Sequence, residues 1–278
     1  MTLVADSGST KTIWADVESG SKVVTEGLNP HFSTDEQVLS ACNTVKKVLS
    51  VSKPVLFFYG AGCGSADQRT RMHQLLCQGL DATQVFVETD MLGACRATSG
   101  REASLVGILG TGSNSCYYDG TCIAQTYPSL GYILGDEGSA NHIGRILLTE
   151  YLNGTLTKET TSLFHDSYPY KYEEWIDHIY HKPNANRFLA SLAIFAVNNL
   201  DNSECKRIVA NAIDQWYCIQ LQRLIESTRC NHINVIGGLA KAIEPFLRQQ
   251  LSEKGLDVGT VSAEPINGLV QFYALKIS

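Results

Sequence analysis

The 278-residue sequence contains no apolar run long enough to cross a bilayer and no run of Lys or Arg longer than two. The first absence excludes a transmembrane helix of the usual kind. The second, with a net charge of −6 from 22 basic and 28 acidic residues, argues against binding nucleic acid through its phosphates. The start of the chain has neither the basic region nor the apolar stretch of a signal peptide, so a cytoplasmic location is expected. The nine cysteines form no C-x-x-C pair. Their odd number and irregular spacing fit reduced thiols acting as small buried hydrophobes. An iron–sulfur site shared between two subunits is the alternative.

What is present is an ordinary globular balance, 44% hydrophobic and 18% charged, over a length that suits about two domains. Short apolar segments bounded by Gly or polar turns predict strands over 3–5, 12–17, 22–27, 55–59, 85–88, 104–109, 116–118 and 233–236. Helical spacing follows Ser33-Thr34-Asp35-Glu36, read as a capping box, and recurs through Met72, Leu75, Leu76 and Leu80 and through Ala140, Ile143, Ile146, Leu147 and Tyr151. The region from about 171 to 230 is helix-rich. Its last stripe is Ile208, Ala212, Trp216, Ile219, Arg223 and Leu224. Strands alternating with helices at both ends, around a helical block, imply an α/β protein with an insertion.

One segment resembles another 104 positions further on. Leu3 to Trp14 and Gly107 to Tyr118 both run from an apolar strand through x-[ST]-G-S and small polar residues into a second strand. Two such loops, Ser7-Gly8-Ser9-Thr10-Lys11 and Gly110-Thr111-Gly112-Ser113-Asn114, predict two similar domains, each offering backbone N–H groups to a shared anionic ligand. A nucleotide's phosphates suit them, because phosphate oxygens only accept hydrogen bonds. Asp6, at the end of the first strand, is placed to hold Mg²⁺, and Lys11 is either a residue that reaches a transferring phosphate or an exposed strand residue. Asp90 falls at a strand–helix junction, the rim where α/β folds carry functional residues. It is the candidate proton acceptor for a hydroxyl, or else a helix N-cap. Asp136 and Glu137, between glycines, are acceptors of the kind that bind sugar hydroxyls. Gly237-Gly238-Leu239-Ala240, after a strand, would let a flat base lie against the backbone, or else is a tight strand–helix packing turn.

These residues together resemble the sugar kinase, heat-shock 70 and actin superfamily. Within it the chain is most similar to the BadF/BadG/BcrA/BcrD-type ATPase group and, in that group, to N-acetylglucosamine kinases. The resemblance implies an α/β fold of two ribonuclease-H-like (actin-like ATPase) domains around a nucleotide cleft, with a helical insertion in the second. The domains would cover 1–102 and 103–278, with the last helix able to pack back on the first. It implies ATP and Mg²⁺ as cofactors, with phosphate motifs at Ser7, Gly8, Ser9, Thr10 and Lys11 and at Gly110, Thr111, Gly112, Ser113 and Asn114. The adenosine motif would be Gly237, Gly238 and Leu239, and the metal carboxylate Asp6. Thr89-Asp90 matches the family's catalytic base. Asn29, Asp90 and Asp136 match its sugar contacts. The implied activity is phosphorylation of the 6-hydroxyl of N-acetylglucosamine or a close relative such as glucosamine or N-acetylmuramic acid. An ATP-driven activator of a radical dehydratase and a non-catalytic sugar sensor are the competing functions. The oligomeric state stays open, a homodimer among the possibilities.

Overall fold

The computed structural model describes residues 1–8 and 10–277. The chain divides into two compact units. One comprises 1–103, 118–123 and 264–278; the other comprises 104–117 and 124–263.

The first unit is built on β1 (Thr2–Ser7), β2 (Lys11–Asp16), β3 (Lys22–Glu26), β4 (Val55–Gly60) and β5 (Gln84–Thr89). The sheet order is β3-β2-β1-β4-β5. β1, β2 and β3 form an antiparallel meander, and β4 and β5 continue parallel to β1. Side-chain alternation feeds two cores. Leu3 and Ala5 point to the cluster shared with Val38, Val45, Met72 and Leu76, which lie on α1 (Asp35–Val48) and α2 (Ala66–Leu80). Val4 points to the opposite face, against Tyr59, Ile266, Leu269 and Tyr273. The last three belong to the chain's last helix, α13 (Ile266–Ile277), which packs beside α3 (Asp90–Ser99). The expected capping box sits one residue later than the sequence reading put it. Thr34 is the N-cap: its hydroxyl accepts from Gln37 N, and the Gln37 amide oxygen accepts from Thr34 N at 2.9 Å. A capping box needs a side chain at N3 that can reach back, and Gln37 does so as well as Glu36 would.

The second unit repeats the strand order. Its elements are β6 (Ser104–Leu109), β7 (Ser113–Tyr118), β8 (Ile123–Thr126), β9 (His232–Ile236) and β10 (Asp257–Ser262), arranged β10-β9-β6-β7-β8. Each strand thus has a counterpart in the first sheet, β6 standing where β1 stands. The helical block enters after β8, where the first unit has only α1. It comprises α4 (Gly131–Leu134), α5 (Ala140–Leu152), α6 (Lys158–Ser167), α7 (Tyr172–Tyr180), α8 (Ala185–Asn198), α9 (Ser203–Trp216), a π-helical turn (Tyr217–Leu221) and α10 (Gln222–Thr228). Helices α11 (Gly238–Ala242) and α12 (Glu244–Glu253) separate β9 from β10. β8 and β10 are strands the apolar pattern did not reveal. β8 is four residues long, and a register shift between Val258 and Val261 interrupts the alternation in β10.

The π turn corrects the expected helical stripe. It adds one residue to the turn, so the phase slips by one after Trp216. Arg223 is exposed and Ile219 only half-buried, while Gln220 and Leu221 face the interior. Cys42 and Cys205 are fully buried members of the two large cores, matching the reading of cysteines as small hydrophobes. Cys122 and Cys218 are exposed.

α5 and α8 approach closely because Gly144 has no side chain. A Cβ there would lie 1.9 Å from the Leu189 carbonyl oxygen. Gly144→Ala is therefore expected to destabilise the protein by about 1–3 kcal/mol, the usual cost of overpacking a core. Urea denaturation would measure it, as a lower midpoint at unchanged slope.

Candidate active site

In the first unit, strand register assembles the site. Ser7 pairs with Gly60 and Gly60 with Thr89. The C-terminal ends of three parallel strands therefore lie in one row, and Asp6-Ser7, Gly60-Ala61 and Thr89-Asp90 emerge at one sheet edge. This is the edge at which open α/β sheets bind ligands.

The helix that follows Thr89 decides against the N-cap reading of Asp90. Thr89 is the N-cap of α3, its hydroxyl accepting from Leu92 N at 3.2 Å. Asp90 is thereby released from capping. One of its oxygens accepts from Met91 N at 2.9 Å. Burial raises its pKa, and the bond from Met91 lowers it to a lesser degree. Asp6 is pushed up to about 7, first by burial and then by the charges of Asp90 and Glu264. Lys11 offsets this only in part, since it is paired with Glu264. Glu264, just ahead of α13, is a site residue that no motif in the sequence singles out.

The first glycine loop closes through Gly8 N to Lys11 O at 3.0 Å, and Thr10 and Lys11 stand exposed. Ser9, expected to bind phosphate, lies outside the described residues. Ser7 departs from its expected role. It is fully buried, its hydroxyl bonded to Thr12 Oγ1 at 2.8 Å and accepting from Leu28 N at 3.0 Å. Its side chain ties the first hairpin to the segment carrying Asn29. Asn29 is buried, and its side-chain oxygen accepts from His31 N at 3.0 Å. Gly62 packs so tightly here that a Cβ would lie 2.3 Å from that oxygen. From α2, Arg71 donates to Pro30 O and Ser33 O, each at 2.8 Å, and pairs with Asp35. Arg71 was not legible as a site residue, since its partners are carbonyl groups 38 and 41 positions away.

In the second unit, the glycine loop is fastened on both sides. Gly110 N donates to Gly112 O at 2.9 Å. Gly110 O and Thr111 O accept from Ala140 N and Asn141 N at the start of α5. The Ser113 hydroxyl donates to Glu137 O at 2.6 Å, and the Asn114 side chain accepts from Ser115 N at 2.8 Å. Gly237, at a φ of 131° open chiefly to glycine, lies against this loop: a Cβ there would be 2.1 Å from Leu109 O. The structure thus brings Gly110–Asn114 and Gly237-Gly238 together. The Leu239 side chain, expected to line the adenosine site, packs instead in the core, because α11 turns it inward.

Asp136, expected at the sugar, sits beneath the second loop. One oxygen accepts from Ser113 N at 3.3 Å and the other from Asn141 Nδ2 at 2.8 Å. Burial raises its pKa against the lowering effect of these two bonds. A carboxylate has about four acceptor sites, so these bonds leave capacity for a ligand hydroxyl.

Among the described residues, no group of three or more His, Cys, Asp or Glu is arranged to hold a metal ion by itself. The donor set around Asp6 does fit Mg²⁺. Mg²⁺ prefers hard oxygen donors and is commonly held by one or two carboxylates together with substrate phosphates and water. Burial of Asp6 near two further acids is costly without a cation.

No protein-family model matches the chain, and no curated protein does. Among solved structures, the chain is similar to the putative N-acetylglucosamine kinase of Porphyromonas gingivalis, at 32% identity over 100% of both chains with a TM-score of 0.92. The putative N-acetylglucosamine kinase of Chromobacterium violaceum aligns at 17% identity, over 98% of this chain and 99% of that one, with a TM-score of 0.70. A ROK family glucokinase from Streptomyces griseus in complex with glucose and AMPPNP shares the fold at 13% identity, over 100% of this chain and 98% of that one, with a TM-score of 0.57.

At the start of α5, His142 is buried and accepts from Gly138 N through Nδ1 at 3.1 Å, which assigns the neutral ring with its proton on Nε2. Burial, reinforced by Arg145, pushes its pKa down to about 4 from 6.5. The unfolded chain therefore binds more protons at this site than the folded one between those values. Its contribution to stability is fully present above about pH 6.5 and is lost as pH falls toward 4. His142→Gln should flatten the fall in melting temperature across that window, measured by thermal unfolding in a pH series.

Proposed function

Because the chain belongs to the N-acetylglucosamine kinase-like group of the actin-like ATPase superfamily, we propose that it is an ATP-dependent amino-sugar kinase that phosphorylates the 6-hydroxyl of N-acetylglucosamine or a close relative. The observation that carries this reading is Asp90: a carboxylate freed from capping by Thr89, with a pKa raised by burial, at the edge where Ser7 and Gly60 also end. A raised pKa makes it a better proton acceptor than a solvated carboxylate.

In the proposed reaction the sugar hydroxyl donates its proton to Asp90 as its oxygen attacks the γ-phosphorus. The bond from that phosphorus to the β-γ bridging oxygen breaks, and ADP leaves. Phosphoryl transfer needs positioning and charge stabilisation more than covalent help from the protein. The two glycine loops would supply phosphate oxygens with those backbone N–H groups not already bonded within the protein, and Gly237-Gly238 would pack beside the base. Asp6 is the residue that would hold Mg²⁺, which when bound neutralises charge on the phosphate oxygens. Asn29, kept in place by Gly62 and the Arg71 clamp, would read a sugar hydroxyl. Asp136 offers its remaining acceptor sites to another. Hydrogen-bonding groups of this kind discriminate between sugars far better than apolar walls do.

A coupled ADP-release assay over N-acetylglucosamine, glucosamine, N-acetylmuramic acid and glucose tests the proposal directly, and release that no amino sugar stimulates refutes it. Asp90→Asn should lower kcat by about 10²-fold or more, the usual worth of a general base, while ATP binding measured by calorimetry stays near wild type. Asp6→Asn should abolish turnover at every Mg²⁺ concentration. The same substitution should raise the melting temperature above pH 7, because it removes a carboxylate that burial and two neighbouring acids make costly to ionise.

A further inference from the structure

Beneath the second glycine loop lies a polar network that the mechanism above leaves unused. Gln220 is 1% exposed. Its amide nitrogen donates to Ser113 Oγ at 3.1 Å and to Glu137 Oε2 at 2.9 Å. Its amide oxygen accepts from Ser115 Oγ at 2.9 Å, and the same Ser115 oxygen accepts from Trp216 Nε1 at 2.9 Å. Ser113 in turn donates to Glu137 O. Both donors and the acceptor of the amide are thus used, on three residues of the loop region, with no water needed.

The helix is distorted where this amide is delivered. Gln220 lies in the π-helical turn, where Gln222 N donates to Tyr217 O, five residues back. A single wide turn inside an α-helix is costly and rare, and such turns are frequent at functional sites. Here it turns two consecutive residues inward. Leu221 goes to the core, and Gln220 goes to the serines.

We propose that Gln220 is a positioning residue for nucleotide binding, and that the π turn is the device that holds it under the second phosphate loop. The inference rests on the kinase reading, in which residues 110–114 hold phosphate. Gln220 touches no ligand. It fixes the hydroxyls of Ser113 and Ser115 and the carboxylate of Glu137, so the backbone N–H groups above them are aimed before ATP arrives. Preorganised donors give up no binding energy to reorganisation. Breaking the network leaves Ser113, Ser115 and Glu137 short of a buried partner, and they regain one only by moving the loop.

The test measures KM for ATP and for the amino sugar separately in Gln220→Met, which keeps the volume and removes the amide, and in Ser115→Ala, which cuts the same network with a smaller change. Gln222→Ala, on the exposed face of the same helix, is the control. The expected result is a rise of about tenfold or more in KM for ATP in Gln220→Met, a smaller rise in Ser115→Ala, and a sugar KM within about twofold of wild type. General loosening of the unit would lower activity without that split. Equal loss toward both substrates, or an unchanged KM for ATP in folded Gln220→Met, overturns the proposal. If Gln220→Met fails to fold, Ser115→Ala decides by the same split. A wild-type chain that binds ATP but phosphorylates no sugar overturns the kinase reading alone, and the ATP dissociation constants of the variants then decide the proposal. A wild-type chain that binds no ATP overturns both.

Discussion

The register of three parallel strands is the constraint on which the first half of the site depends. Ser7, Gly60 and Thr89 stand side by side, so the turns that follow them must all open at the same edge. A slip of one residue in any strand would reverse its side chains and send Asp6 or Asp90 elsewhere. Alternation resists such a slip, because Leu3 and Val4 are both fully buried, on opposite faces. The chemistry at the edge is therefore held by apolar residues well away from it.

The second unit solves the same problem with more material. Its strand order repeats that of the first, but its glycine loop is secured from outside the sheet. The start of α5, the Asp136 carboxylate and the π-turn amide of Gln220 all bond to it. The helical insertion thus gives the second loop a set of side-chain anchors. The first loop relies more on the hairpin itself, with Ser7 and Thr12 beneath it.

Much of this could be read in the sequence. The paired glycine loops, the Thr89-Asp90 junction and the alternation of strands and helices all follow from local rules, because turns, caps and apolar periods depend on near neighbours. Other features could not be read. Thr89 and Asp90 are both competent N-caps, and only the backbone conformation chooses between them. The burial of Gln220 beside Leu221 accompanies a π turn that no hydrophobic pattern records. The roles of Ser7 and Asp136 depend on partners from 5 to 23 positions away, where the same residue types serve as ligand or as scaffold without any change in the sequence signal.

The Arg71 clamp carries a consequence for altering what the protein recognises. The segment with Asn29 is not a free-standing loop: its carbonyl groups at Pro30 and Ser33 are held by a guanidinium on α2, and Leu28 is held by the Ser7 hydroxyl. Under the proposed function, in which Asn29 reads the sugar, substrate preference is distributed over three separate stretches of chain that must change together. A segment grafted from a relative would arrive without its fasteners unless the matching turn of α2 came with it. Drift in preference along this lineage should therefore leave correlated changes near positions 7, 29 and 71.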